Sequence, residues 1–230
     1  SEGNQQFGTL IPIDYIEGLT TAELTELLIP GEDEEETEAL RQRYFDSFET
    51  DPYGGNRQDY IQKTNAIAGV GSTKVTPVWA GGGTVKITIL DAEFNKASST
   101  LIDTVQTILD PVSNQGEGLG IAPIGHVVTV DTATEVVVNV ASTITFDTGY
   151  NWDSVKDEAI AAINDYLLEI RKDWMNRTIS YVRISQIERR LLTIPGVVDI
   201  TGTTINGLAE NLELNEYEIP ILGGVMNEGS

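Results

Sequence analysis

Trp152, Val155, Ala159, Ile163, Tyr166, Ile170 and Trp174 recur at spacings of three and four residues. That period places all seven on one stripe of a helix running from Trp152 to Trp174. Asp153, Asp157 and Glu158 sit in its first turns and Arg171 and Lys172 in its last, the order the helix dipole favours. A stripe of this length has to be buried against something. Just ahead lies Glu135 to Phe146, where Val136, Val138, Val140, Ile144 and Phe146 hold the even positions. Its odd positions carry Glu135, Asn139, Thr143 and Thr145, with Val137 and Ala141 as exceptions. Such a strand has one buried and one wet face. Helix and one-sided strand together make an α+β lobe.

The remaining elements repeat that scheme. Asp33 to Phe48 reads as a helix, with Asp33 and Glu36 in N-cap and N3 roles and Leu40, Tyr44 and Phe48 on one stripe beside Phe45. After the turn Asp51–Gly55, Asn56 caps a second helix whose Tyr60, Thr64 and Ile67 share a face, and Gly69 ends it. Lys74–Trp79 and Val85–Ile89 alternate as a hairpin joined by Gly81-Gly82-Gly83. Ser98 or Ser99 caps a helix with Leu101, Ile102, Val105, Ile108 and Leu109, stopped at Asp110-Pro111. A short strand, His126–Val130, is expected to pair with Glu135–Phe146. Ser185-x-x-Glu188 reads as a capping box for a helix holding Ile187, Leu191 and Leu192, ended by Pro195-Gly196. Val197–Thr201 and Leu212–Ile219 read as a second hairpin, interrupted by Asn206-Gly207.

Ile67-Ala68-Gly69-Val70 and Ile194-Pro195-Gly196-Val197 each follow a helix and lead into an expected hairpin, a two-copy pattern that reads either as an internal repeat or as the ordinary preference of helix-to-strand turns for Gly followed by Val. The chain therefore divides into a lead-in, 1–31, and two α+β lobes, 32–115 and 116–230, with helices packed on hairpins or a short mixed sheet. Within the lead-in, Leu10–Ile13 reads as a strand end and Thr20–Leu24 as a short helical turn. The segment should pack on something upstream.

Composition removes most chemistry. The 230 residues include 36 Asp and Glu against 14 Lys and Arg, a formal net charge of −22. Phosphate neutralisation needs clustered cations, so nucleic acid is not a partner, and an anionic membrane surface is equally disfavoured. No apolar run approaches the roughly 20 residues of a membrane helix. Ser1-Glu2-Gly3-Asn4 lacks the basic and apolar regions of a signal peptide. With no cysteine and one histidine, disulfides, thiolate sites and multi-histidine zinc sites are excluded. A Ser-His-Asp triad would have to use His126, and no G-x-S-x-G elbow accompanies it. A structural or exposed role for His126 is the better reading.

The other candidates are equally bland. Glu32–Glu38 is a run of acids on a helix start, where consecutive side chains diverge around the axis, so a solvated face explains it better than a metal site. Gly116-Glu117-Gly118-Leu119-Gly120 leads to a strand and holds no Lys, unlike a phosphate loop. Glu213, Glu216 and Glu218 show no spacing that selects a carboxylate pair. No catalytic residue, cofactor or metal ligand is expected. Trp152 and Trp174 belong to the core stripe. Trp79, at the edge of the glycine-rich hairpin, is the candidate interface residue.

Several segments in order resemble the baseplate J-like family of contractile-tailed phages. They are Asp33-Glu34-Glu35 leading to Leu40–Arg43, Gly54-Gly55-Asn56 with Asp59-Tyr60, Gly69-Val70 with Val75, and Gly83-Thr84-Val85. The second half agrees through Ser185-x-x-Glu188, Leu191, Ile194–Val197 and Glu218–Val225. The resemblance covers about residues 31–225. It implies a structural, non-enzymatic component of a phage-type tail baseplate: a wedge or inner-ring protein around the central hub. Its partners would be other wedge and hub proteins and further copies of itself in a ring. It would reside in the virion tail, after assembly in the host cytoplasm. The resemblance also implies an N-terminally shortened chain, with 1–30 as the tail of a preceding β-rich region. The competing function is a virion-associated glycan-binding or glycan-hydrolysing module, which would require a cleft with convergent carboxylates.

Overall fold

A computed structural model of the chain describes residues 8–24, 28–29, 31, 36–38, 40–41, 43–44 and 54–229. The chain forms two compact units, Ser1–Thr132 and Ala133–Ser230. The first opens with two short strands, β1 (Gly8–Thr9) and β2 (Glu23–Leu24), paired antiparallel. Thr20–Leu24 therefore ends in a strand rather than the expected helical turn, because β1 takes up its backbone groups; the Leu10 N–H donates to the Ala22 carbonyl at 2.8 Å. Of the expected helix Asp33–Phe48, residues 37, 38, 40, 41, 43 and 44 are helical. Its cap Asp33, with Glu34, Glu35, Phe45 and Phe48, lies outside the described residues.

Helix α1 (Arg57–Asn65) is capped by Asn56, whose side chain accepts from the Asp59 N–H. It buries Tyr60 and Thr64. Gly69 follows at φ +87°, a conformation costly for any residue with a Cβ, and here a Cβ would also overlap Ile29. The chain then enters β3 (Val70–Pro77), turns, and returns as β4 (Thr84–Asp91), antiparallel to it. Helix α2 (Ser99–Leu109), capped by Ser98, carries the chain over to β5 (Val127–Thr132), which lies parallel to β4. The sheet order is β3-β4-β5. Leu101, Val105 and Leu109 face Val85, Ile87, Ile89, Val128 and Val130 in one core. Ile108, expected on that face, is exposed.

Among the described residues, no strand lies beside the outer edge of β5. Side chains bond it instead. The buried Asp110 carboxylate accepts from Val128 N–H at 2.9 Å and from Gly116 N–H at 3.0 Å. Gln106 accepts from Val130 N–H at 2.9 Å and donates to Val128 C=O at 3.1 Å, and Gln115 donates to the same carbonyl at 2.8 Å. Backbone groups that would otherwise invite another strand are used up.

The second unit has β6 (Thr134–Phe146) as its central strand. Then come α3 (Trp152–Lys172), β7 (Ser180–Val182), α4 (Ile184–Leu191), β8 (Val197–Ile205), β9 (Leu212–Leu214) and β10 (Glu218–Asn227). The order is β10-β6-β8, with β10 parallel and β8 antiparallel to β6. Even positions of β6 from Val138 to Ile144 are buried, and Glu135, Val137, Asn139 and Thr145 are exposed. Val155, Ala159, Ile163, Tyr166 and Leu167 of α3 pack on Val138, Val140 and Val225 together with Ile187 and Leu191 of α4. Trp174 is buried in a 3-10 turn after α3.

Four features depart from the sequence expectation. His126–Val130 does not pair with Glu135–Phe146: β5 joins β4 and β6 joins β8 and β10. The connection, Thr132-Ala133-Thr134, has no turn residues to fold one strand back on the other. The first unit consequently runs to Thr132, and the β5 residues assigned from sequence to the second lobe belong to it. Val197–Thr201 and Leu212–Ile219 form no hairpin, because β6 lies between β8 and β10 while β9 pairs with β7. Ser185 is inside α4, whose N-cap Arg183 makes no side-chain cap. The Tyr166 hydroxyl accepts from Arg183 N–H at 2.8 Å and Asn211 Oδ1 from Ile184 N–H at 3.0 Å, so the work of a cap is done from a distance. The reciprocal capping box is Asn151 with Ser154, at the start of α3.

Each three-stranded sheet thus has a central strand with one parallel and one antiparallel neighbour, and the antiparallel neighbour starts after a helix and a glycine at φ +87°. The order along the chain differs: β3 precedes its central strand, whereas β8 follows its own.

Ile163→Ala, at a fully buried site, is expected to cost roughly 2–5 kcal/mol in chemical denaturation; an unchanged midpoint would mean that α3 packs through another face. Asp110→Ala leaves two amides without an acceptor, at roughly 1–3 kcal/mol for each one buried. Faster hydrogen exchange at Val128 is the specific sign, and protection equal to wild type would contradict the edge assignment.

Candidate interaction surface

The β3–β4 hairpin ends in a tip that its own residues fasten. Val78 N–H donates to Thr84 C=O at 2.7 Å, Ala80 N–H to Thr84 Oγ1 at 3.0 Å, and Thr84 Oγ1 to Gly81 C=O at 2.7 Å. Val78 sits at φ +57°, where a β-branched residue is strained. That backbone turns Val78 and Trp79 outward: they are 61% and 46% exposed. The Lys86 ammonium lies 5.7 Å from the Trp79 ring centroid and 2.8 Å from Asp131. Burial opposes ionisation of Asp131, but the bond from Lys86 outweighs it with help from the Thr132 N–H, and the carboxyl stays below its usual range.

Beside the tip is a cleft of about 170 Å³. Tyr60, Val75, Pro77, Val78 and Val85 give it apolar walls, and Arg57 and His126 supply its charged and titratable groups. Among the described residues, no Asp or Glu lines it. Tyr60 is buried on α1, and its hydroxyl lies 2.9 Å from His126 Nδ1, the two rings stacked at 6.0 Å. Burial, with the negative fields of Asp110 and Asp59 behind it, pushes the Tyr60 pKa up to about 12. The phenol therefore stays neutral and keeps its proton for hydrogen bonding. Asp59, also buried, accepts from Gly55 N–H at 2.9 Å and pairs with Lys63 at 2.9 Å. Its charge serves to shape the loop ahead of α1. Arg57 makes no ion pair with any described residue.

The other sequence candidates do not converge. Glu213 accepts from the Tyr181 hydroxyl at 2.9 Å, which raises the Tyr181 pKa, and Glu218 accepts from Asn215 N–H at 2.8 Å. Glu213 thus ties β9 to β7 and Glu218 fixes the turn ahead of β10, and the described contacts bring them to no shared cleft. In the glycine-rich loop, Gly116 is held by Asp110, and Gly125 N–H donates to the Gly116 carbonyl at 2.8 Å, closing the loop on itself. Glu36 and Glu38 of the acidic run are described, and Glu38 pairs with Arg41 at 2.6 Å; Glu32–Glu35 lie outside the described residues. Among the described residues no group of three His, Asp or Glu is placed to hold a metal, and no helix is long and apolar enough to cross a membrane. The cleft itself was missed from sequence. The only signals were Asp59-Tyr60 after a cap and a histidine at the head of a strand, 66 positions on from Tyr60.

Trp79→Ala should change stability by no more than about 0.5 kcal/mol, since the ring is half exposed. A larger loss in thermal unfolding would make Trp79 part of the core and not of a surface.

Comparison with known proteins gives matches over both units. The model for the Baseplate J-like central domain matches residues 52–132, and that for the Baseplate J-like protein C-terminal domain matches 138–228. The first match ends where the first unit ends. The phage-like element PBSX protein XkdT of Bacillus subtilis (strain 168) is 37% identical over 216 residues, covering 94% of this chain and 60% of its own length. The uncharacterized protein YqbT of the same strain is 38% identical over the same share of each chain. The chain thus spans about three fifths of the length of these curated relatives. Among solved structures, the anti-feeding prophage baseplate aligns with a TM-score of 0.52 at 8% identity, over 95% of this chain and 49% of that one, a likeness of fold.

Proposed function

Because this chain belongs to the baseplate J-like family, we propose that it is a structural component of a phage-type tail baseplate, acting by holding its neighbours. The observation that carries this reading is the pair of consecutive family matches, one on each unit, over residues 52–132 and 138–228. The relative named for a phage-like element and the fold shared with a prophage baseplate support it. In its finer form, the protein is a wedge or inner-ring subunit in the virion tail that meets other wedge and hub proteins and performs no catalysis. The carboxylates and the single histidine traced above support the last point, since they are engaged in ion pairs, in turn and strand-edge hydrogen bonds, or with a tyrosine hydroxyl, and do not converge on a shared cleft. Trp79, exposed on a strained and fastened tip, is the contact residue we assign to this role.

Electron cryo-microscopy of an assembled tail containing this protein is the test. Density for both units is expected within the baseplate, with Trp79 against a neighbouring chain. A complete baseplate without this fold would overturn the reading, and so would turnover of peptidoglycan by the purified protein that a single Asp or Glu substitution abolishes.

A further inference from the structure

Asn206-Gly207 is the one Asn-Gly pair in the sequence. It makes the tight turn that closes the end of β8. Ile205 N–H donates to Leu208 C=O at 2.9 Å and Leu208 N–H to Ile205 C=O at 3.0 Å, with Asn206 at φ +52° and Gly207 at φ +80°. Two positive φ angles in succession match a type I′ turn, for which Asn-Gly is a favoured pair.

The Asn206 side chain does more than suit the turn. Its amide meets β6 as a peptide group would. Oδ1 accepts from Asn139 N–H at 2.9 Å and from Asn139 Nδ2 at 3.2 Å, and Nδ2 donates to Val137 C=O at 3.0 Å. The Asn206 backbone N–H donates to Asn139 C=O at 2.8 Å. The β6–β8 ladder, whose last pair is Val140 with Ile205, is thereby carried past the end of β8 by a side chain. Asn139 is confined on its other side by β10, where a Cβ on Gly223 would overlap its Oδ1.

The same dipeptide is chemically labile. Glycine places no side chain beside its own amide nitrogen, so that nitrogen can reach the Cγ of the preceding Asn. The Gly207 nitrogen attacks Asn206 Cγ, a C–N bond forms, and Nδ2 leaves as ammonia with the proton of the Gly207 amide. Water then opens the five-membered imide at either carbonyl, giving aspartate or isoaspartate at position 206. Both residues are exposed, so water reaches them freely. What restrains the reaction is the anchorage of the amide, because Oδ1 and Nδ2 must leave β6 before Cγ can swing toward Gly207.

We propose that Asn206-Gly207 is a deamidation site that the end of the β6–β8 ladder holds closed, and that its conversion unfastens this end of the sheet. The product cannot replace the native bonds. Where Nδ2 donated, a carboxylate oxygen faces the Val137 carbonyl, acceptor against acceptor. The isoaspartyl form also adds a methylene to the main chain of a two-residue turn, whose geometry sets the register on either side. The site lies wholly within the second unit and stands whether or not the chain serves a baseplate.

The test follows Asn206 in the full chain by peptide mass spectrometry, with isoaspartate measured separately, during incubation at mildly alkaline pH. In urea that unfolds the protein, Asn206 should convert faster than every other Asn. In native buffer it should convert roughly tenfold or more slowly than in urea, since the latch must first open. Asn139→Ala removes one bond to the amide on the exposed face of β6. It should speed native conversion roughly threefold or more, while hydrogen exchange at the buried Val140 keeps its wild-type rate. Asn206→Asp, the product made directly, should speed exchange at the turn amides of Ile205 and Leu208. Native conversion as fast as in urea would overturn the latch, and slow conversion in both would overturn the site. Asn139→Ala without effect, or with exchange at Val140 raised in step, would show that global unfolding and not this amide controls the rate. Wild-type exchange at Ile205 and Leu208 in Asn206→Asp would overturn the unfastening.

Discussion

Asp110 and Gln106 finish the edge of β5 with side-chain hydrogen bonds, and much of the first unit depends on that. A three-stranded sheet has two edges, and each unsatisfied amide on an edge is an invitation to another chain. Asp110 ends α2, so the carboxylate that stops the helix is also the group that holds the strand returning beneath it. One residue thereby links helix length, loop path and strand register. The same bonds draw the glycine-rich loop against α2, which is why those glycines form a closed connection and not a phosphate cradle.

The second unit meets the same problem with a different device. At the entry to β10, Thr134 N–H donates to Tyr217 C=O, so residues 217, 219 and 221 face β6 while 218, 220 and 222 face outward. Pro220 falls on the outward side, where it has no N–H to offer, and its carbonyl takes a bond from Arg171 of α3 at 3.4 Å. Proline is tolerated in a sheet at just such an edge position. One edge of each three-stranded sheet, β5 in the first and β10 in the second, is thus blunted by local chemistry, and each sheet relies on its central strand and a helical face for its core.

What was legible in the sequence was whatever depends on neighbours along the chain. The α3 stripe, the even face of β6, the Asn56 and Ser98 caps and the β3–β4 hairpin all follow from periods of 3.6 or 2 or from a cap beside a helix. Strand partners did not follow. His126–Val130 and Glu135–Phe146 sit together in sequence but pair with strands tens of residues away, because pairing is decided by which apolar faces share a core. Ser185-x-x-Glu188 matched a local pattern, yet Tyr166 and Asn211 had already supplied the acceptors that α4 needs. The functional box at Asn151 escaped the pattern because it uses Asn and Ser where Ser and Glu are the usual pair. The cleft was hidden for the same reason as the strand partners: Tyr60 and His126 come together only through the sheet.

Charge decides which surfaces remain for assembly. Lys63 is engaged by Asp59, Lys86 by Asp131, Arg177 by Asp173, and Arg190 by Glu169 and the Tyr166 ring. Basic residues so engaged stabilise their own unit and offer little to a partner, while the excess acids face outward. At physiological salt, screening acts over about 8 Å, so repulsion between copies is blunted at long range but returns at contact. A docking surface on this chain must then be neutral or hold a cation not already committed. The fastened hairpin tip, with Val78, Trp79 and an adjoining cleft that no described Asp or Glu lines, meets that condition. Its rigidity matters as much as its sign, since a tip already held by Thr84 loses little freedom when a partner immobilises it.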